Sequence, residues 1–202
     1  MSVKTTQTTR LLELARKQPI LRVKDLAAAK IHPEHLRRLW RKGVVERASR
    51  GVYRLVEAEY TAHLSLAEVA KRVPRGVICL MSALQFHGIG TQLPPDVWLA
   101  VDRRAARPTS TSPRLRVVRL SGDAFSEGVE TKEIDGVTVQ IYSPAKTIVD
   151  CFKFRNKVGL DVALEALREG WRTRKVTMED LAHFSKVCRV EEVMRPYLES
   201  LV

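Results

Sequence analysis

The chain has 202 residues, 45% of them hydrophobic and 29% charged, with a net charge of +12. This is enough for one large domain or two small ones, and two are expected because the charge is uneven: residues 1–58 hold 14 Lys and Arg against 5 Asp and Glu, the other 144 hold 21 against 18. No run approaches the roughly 18 apolar residues of a membrane span, and MSVKTTQTTR lacks the apolar core of a signal peptide, so a membrane span and export are set aside and a cytoplasmic protein is expected.

The first seven residues are polar and Thr-rich and read as a loose start. Leu11, Leu14 and Ala15 then mark a helix that Thr8 or Thr9 can cap and Pro19 ends. Val23, Leu26 and Ala27 recur at helical spacing, and after the turn Lys30-Ile31-His32 so do Leu36, Leu39 and Trp40. Pro33 suits the first helical position and Gly43 the residue past the end, which predicts a helix over Pro33 to Lys42. The runs Val44 to Ala48 and Val52 to Leu55 then flank Ser49-Arg50-Gly51, a hairpin whose Gly can take positive φ. Helix, helix and hairpin in this order make a winged helix-turn-helix. Trp40 and Tyr53 are expected in its core.

The opposite face of the Pro33 helix carries Arg37, Arg38, Arg41 and Lys42, with Glu34 its only acidic neighbour, and the hairpin adds Arg47, Arg50 and Arg54. A basic helix beside a basic wing fits a DNA major groove, whose walls are phosphate. Double-stranded DNA is therefore the expected partner, with His35, Arg37, Arg38, Arg41 and Lys42 on the helix and Arg47, Ser49, Arg50 and Arg54 on the wing as candidate contacts. An anionic membrane surface is the rival polyanion.

From Ala58 to Val73 the pattern is helical until Pro74 and Gly76, and the boundary is set at residue 58, with a mixed α/β domain over 59–202. Val77 to Met81 reads as a buried strand, Ser82 as the cap of a short helix, and Asp96 to Val101 as another strand. Arg103, Arg104, Arg107, Arg114, Arg116 and Arg119 occupy a stretch with no acidic residue, interrupted by a loop from Pro108 to Pro113, and form a possible second nucleic-acid contact. Asp135-Gly136 between two β-rich runs predicts a type I′ hairpin. Ser143 and Pro144 open a helix with Ala145, Ile148, Val149 and Phe152 inside, and Leu160 to Leu167, Met178 to Phe184 and Val190 to Leu201 supply a helical tail. Cys79, Cys151 and Cys188 sit among apolar neighbours and read as buried, reduced thiols.

The segment from Asp25 to Leu55, with DLAAA, LRRLWRKG and ERASRGVYRL, resembles the N-terminal domain of the AbiEi-type antitoxin family of type IV toxin-antitoxin systems. SALQFHGI, LRVVRLSG, IDGVTVQIYSPAKTIVDCFKFRNKVGLDVALEALRE and VMRPYLE are similar to its C-terminal part. The turn differs from the small residue or Gly often found in the family. The resemblance implies a repressor of its own operon that binds promoter repeats. It also implies an antitoxin whose C-terminal domain counters a nucleotidyltransferase-like toxin without a stable complex. A winged-helix regulator with a ligand- or protein-sensing C-terminal domain, and an antitoxin that holds its toxin directly, are the alternatives.

Enzymatic signals are weak. The five histidines lack metal-ligand spacing, no P-loop or GxGxxG occurs, and no cofactor is expected. Ser82, His87 and Asp96 lack a nucleophile motif, Asp150 and Asp161 read as solvent-facing helix residues, and Lys153, Arg155 and Lys157 as a solvated helix end.

Overall fold

The computed structural model describes residues 6–109 and 112–201. Most of the expected loose start and the middle of the Pro108–Pro113 loop lie outside the described residues. The chain forms two compact units, one from residues 1–74, 110–113 and 132–139, the other from 75–109, 114–131 and 140–202. Both helices and sheets are present, so the class is α+β.

In the first unit, α1 (Gln7–Lys17), β1 (Ile20–Arg22), α2 (Val23–Ala28), α3 (Pro33–Arg41), β2 (Val45–Ser49), β3 (Val52–Leu55) and α4 (Leu64–Arg72) follow one another. The strands form an antiparallel sheet in the order β1-β3-β2. Leu11, Ala15, Leu21, Leu26, Ile31, Leu36, Leu39 and Val45 make its core. The span 1–58 read from the sequence lies inside this unit, which continues to Pro74.

Local chemistry accounts for the helix ends. Thr6, rather than Thr8 or Thr9, caps α1, its hydroxyl accepting the Thr9 N–H at 3.2 Å. The turn after α2 is closed by Lys30 N–H to Ala27 O and Ile31 N–H to Leu26 O, both 3.1 Å or shorter. This paired closure requires a left-handed residue, and Lys30 supplies it at φ 55 although glycine does so with less strain. Ile31 is then buried against the same core as Leu26. Gly43, at φ 70, performs the same service after α3.

Three side chains depart from the periodic reading. Val23 and Ala27 are exposed, so only Leu26 of that trio faces the core. Trp40 is 47% exposed and lies outside the core cluster, because Leu36 and Leu39 already fill the buried side of α3. Tyr53 is half-buried and does pack on the cluster. Residues 58–63 precede α4 without joining it.

The later elements begin with β4 (Val77–Ile78), α5 (Leu80–His87), β5 (Val97–Asp102), β6 (Leu115–Leu120) and α6 (Asp123–Ser126). The hairpin β7 (Val129–Ile134) and β8 (Val137–Tyr142) follows, then α7 (Pro144–Lys153), α8 (Arg155–Val158), α9 (Leu160–Arg172), α10 (Met178–Val187) and α11 (Glu191–Glu199). The mixed five-stranded sheet has the order β6-β5-β4-β8-β7. Asp135 and Gly136 both have positive φ, as the type I′ turn demands. The strand expected over Val77 to Met81 stops at Ile78, since α5 begins at Leu80; Ser82 thus lies inside that helix and its Oγ accepts the Trp98 N–H at 3.0 Å.

Helix α7 is buried from Ala145 to Phe152 because α5, α9, α10 and α11 all pack on it. Asp150 is therefore not solvent-facing. It is 1% exposed, and Lys146 Nζ, itself fully buried, donates to its Oδ2 at 2.5 Å. The Lys146 ammonium also lies 4.1 Å from the Tyr142 ring centre. Burial pushes the Asp150 carboxyl upward, and Lys146 opposes that shift. Asp161 is exposed, as its helical position implied.

All three cysteines are buried and free. Burial raises the thiols of Cys79 and Cys151, and pushes Cys188 up to about 12. Because the thiolate is the reactive form, a maleimide or iodoacetamide at about pH 8 is expected to label none of the three in the native protein and all three after unfolding. Stoichiometric native labelling, read by mass spectrometry, would refute this packing.

Candidate functional site

The basic face expected on the Pro33 helix is built on α3. His32 caps it, Nδ1 accepting the Glu34 N–H at 3.2 Å, and Pro33 occupies the first turn. Leu36 and Leu39 are buried, which turns Arg37, Arg38, Trp40 and Arg41 outward. Arg37 makes a loose 3.8 Å contact with Glu34 in solvent, an ion pair of little strength. Among the described residues, Arg38, Arg41 and Lys42 have no carboxylate partner.

The β2–β3 hairpin adds to this charge unequally. Arg47 and Arg50 are exposed, and Arg47 Nε donates to the Ser49 carbonyl at 3.4 Å. Gly51 turns the hairpin at φ +77 with open space around it. Ser49 is half-buried at an irregularity in the register between Arg47 and Ser49. His35 is also half-buried, with Nδ1 3.0 Å from the Thr8 hydroxyl.

Arg54 behaves differently from its neighbours. Its Nε contacts Glu46, and its Nη1 donates to Glu68 of α4 at 3.2 Å. Glu68 is almost fully buried; burial raises its carboxyl while Arg54 draws it back down. Arg54 is thus committed inside the unit. Arg22 ties the same helix from its other end, donating to the carbonyls of Lys71 and of Arg72, the latter at 3.4 Å, where a helix terminus favours positive charge.

In the second unit the arginine-rich stretch is divided by the fold. Arg116 is paired with Asp96 at 2.9 Å and lies 5.4 Å from the Trp98 ring, so the absence of acidic residues in the stretch does not extend to its spatial neighbours. Arg103, Arg104, Arg107 and Arg114 are exposed. Arg103 and Arg119 also meet Lys153 and Arg189 around one cavity. Lys153 is half-buried rather than a solvated end, its Nζ donating to the Cys188 carbonyl at 2.6 Å. Arg155 is half-buried too, its Nη1 donating to the Phe152 carbonyl at 3.0 Å, and only Lys157 of that trio is exposed. The meeting around the cavity has no signal in the sequence, since its four cations come from four separate elements and turns.

The catalytic constellations considered from the sequence are occupied otherwise. Ser82 bonds a backbone N–H, and His87 Nε2 lies 2.8 Å from the Tyr142 carbonyl. Among the described residues, no group of three or more His, Cys, Asp or Glu is placed to hold a metal, and no helix is long and apolar enough to cross a membrane.

The first unit is thus a three-stranded sheet with short helices, one of them presenting a basic outer face. Residues 10–56 match the model of a family described as transcriptional regulator, AbiEi antitoxin, so the resemblance of that segment to the family is shown. The later pieces of resemblance, within 82–89, 115–122, 134–169 and 193–199, lie outside the matched span. The description is that of a regulator and antitoxin, and not of an enzyme. No curated protein matches the chain. Among solved structures, the fold is similar to that of the RV2827C protein from Mycobacterium tuberculosis, with a TM-score of 0.62 at 15% identity, over 89% of this chain and 71% of that one.

The Arg54 network makes a prediction that separates architecture from binding. Arg54→Ala leaves Glu68 buried without its cation and is expected to cost about 1–3 kcal/mol, with Glu68→Gln restoring much of the loss in the double variant. A raised carboxyl binds its proton more readily in the folded state, so the contribution of Glu68 is fully present below the ordinary glutamate value and falls as pH rises through the raised one. The decline should steepen in Arg54→Ala. Denaturant melts across that pH interval would contradict the assignment if the two proteins ran parallel.

Proposed function

We propose that the protein is a sequence-specific DNA-binding transcriptional repressor, the antitoxin of a type IV toxin-antitoxin system that autoregulates its own operon. The observation that carries the reading is the outer face of α3, where Arg37, Arg38 and Arg41 stand exposed, as do Arg47 and Arg50 of the hairpin that follows it. In this reading α2, its left-handed turn and α3 form the helix-turn-helix, and β2–β3 is the wing.

A B-form major groove is about 12 Å wide and admits a single helix. With its apolar side packed, α3 enters such a groove with Arg37, Arg38 and Arg41 toward bases and phosphates. Lys42, at the helix end, meets backbone. Arg47 and Arg50 hold phosphates from the wing, with Ser49 as a neighbouring hydroxyl. His35 sits at the edge of the face and Arg54 supports the wing from within. Each phosphate neutralised releases counterion, so binding depends on salt.

The family description of residues 10–56 supports the regulator and antitoxin roles. The partners in this proposal are promoter repeats in double-stranded DNA and, functionally, a nucleotidyltransferase-like toxin with which no stable complex forms. Antitoxicity resides in the second unit, the protein acts in the cytoplasm, and no catalysis is involved.

The test is titration of the protein against its own promoter fragment and a scrambled duplex at several salt concentrations. Preference for the promoter is expected, and Arg37→Ala/Arg38→Ala/Arg41→Ala should lower affinity about a hundredfold or more and flatten the logarithmic salt slope by about 2–3. Equal, weak binding to both duplexes, or an unchanged triple variant, would overturn the proposal.

A further inference from the structure

The cavity of about 780 Å³ in the second unit is lined by Arg103, Arg119, Lys153 and Arg189, with Asp123 the one acidic side chain in its wall among the described residues. The backbone brings these charges together. Arg103 N–H donates to the Leu120 carbonyl at 2.8 Å, which places Arg103 and Arg119 at the ends of the paired strands β5 and β6. Lys153 reaches from the last turn of α7 to the carbonyl of Cys188, the residue immediately before Arg189. Two strands and two helix ends thus deliver four cations to one recess.

Carboxylates do not answer these charges. Among the described residues, none of Arg103, Arg119 and Arg189 makes an ion pair, whereas Arg116, on the same strand as Arg119, is paired with Asp96. Four cations against Asp123 leave the recess a formal +3, close in magnitude to the charge of a di- or triphosphate, and its volume lies in the range of small-ligand sites.

The backbone at Arg189 supplies a matched control. Arg189 follows α10 in the left-handed region at φ 58, closing the helix through its N–H to Lys186 O and Val190 N–H to Ser185 O. Glycine closes such a turn with less strain, so the arginine side chain is held there against a conformational cost. Arg174 closes α9 in the same manner at φ 55, and it lies outside this cavity. The two arginines differ in whether they line the recess and share the backbone state, so one controls for the other.

We propose that this cavity binds a small ligand carrying two or more linked phosphates, the class of nucleoside di- and triphosphates and inorganic polyphosphate. Among the described residues, all that line the cavity belong to the second unit and none lies on α3, so the site is proposed separately from DNA recognition. Guanidinium groups suit it because they meet phosphate oxygens through paired, charge-assisted hydrogen bonds.

The experiment is calorimetric titration of the full chain with ATP, GTP and sodium tripolyphosphate at fixed low ionic strength, using wild type, Arg189→Gly and Arg174→Gly. Both variants lose one positive charge at a left-handed position, and both should melt at or above the wild-type temperature. Saturable binding of at least one probe is expected, weakened about tenfold or more in Arg189→Gly and less than about twofold in Arg174→Gly. Tighter binding of ATP or GTP than of tripolyphosphate assigns the site to nucleotides, and the reverse to inorganic polyphosphate. Absence of saturable binding by all three probes, or equal weakening in the two variants, would overturn the proposal. So would an Arg189→Gly variant that lost promoter DNA binding as strongly as it lost the probes, since the cluster would then belong to a nucleic-acid face.

Discussion

The packing of Leu36 and Leu39 into the core of the first unit is the constraint on which the proposed binding surface depends. A nine-residue helix has one side to bury, and these two leucines, held with Leu11, Leu26, Ile31 and Val45, decide which side that is. The arginines are then exposed by geometry rather than by choice of rotamer. The left-handed closures at Lys30 and Gly43 bracket α3 at both ends and set where it starts and stops. A one-residue insertion within α3 would turn the residues beyond it by about 100° relative to those before it and break the match between the two leucines and the core.

Arg54 shows how the same unit separates support from display. Among the described cations of the β2–β3 hairpin, it alone is drawn inward, because Glu46 and the buried Glu68 answer its charge. Arg47 and Arg50 have no such carboxylates and remain on the surface. Cations close in sequence thus take opposite roles, one holding α4 to the sheet and two available to a polyanion.

The first unit is legible from its sequence because its signals are local. Pro33, Gly43 and Gly51 mark boundaries through backbone geometry, and Asp135-Gly136 does the same for the later hairpin. What fails to show depends on packing across the chain. Hydrophobic periodicity places Trp40 in the core because it counts apolar residues without counting the room available to them, and it places Asp150 in solvent because it counts a carboxylate as polar without seeing the helices that cover it or the Lys146 that answers it. Only the burial of α7 on all sides reveals otherwise. The cavity around Arg103, Arg119, Lys153 and Arg189 is equally invisible, since 86 positions separate its first and last members.

The central claim, that the outer face of α3 and the tip of the hairpin are the surface that meets DNA, is tested most directly by an NMR titration of the isotope-labelled protein with its promoter duplex. The account predicts that backbone amide shifts and broadening concentrate at residues 33–42 and 47–51, with the buried α7 largely unmoved. Perturbations confined to residues 103–119, with α3 silent, would contradict it.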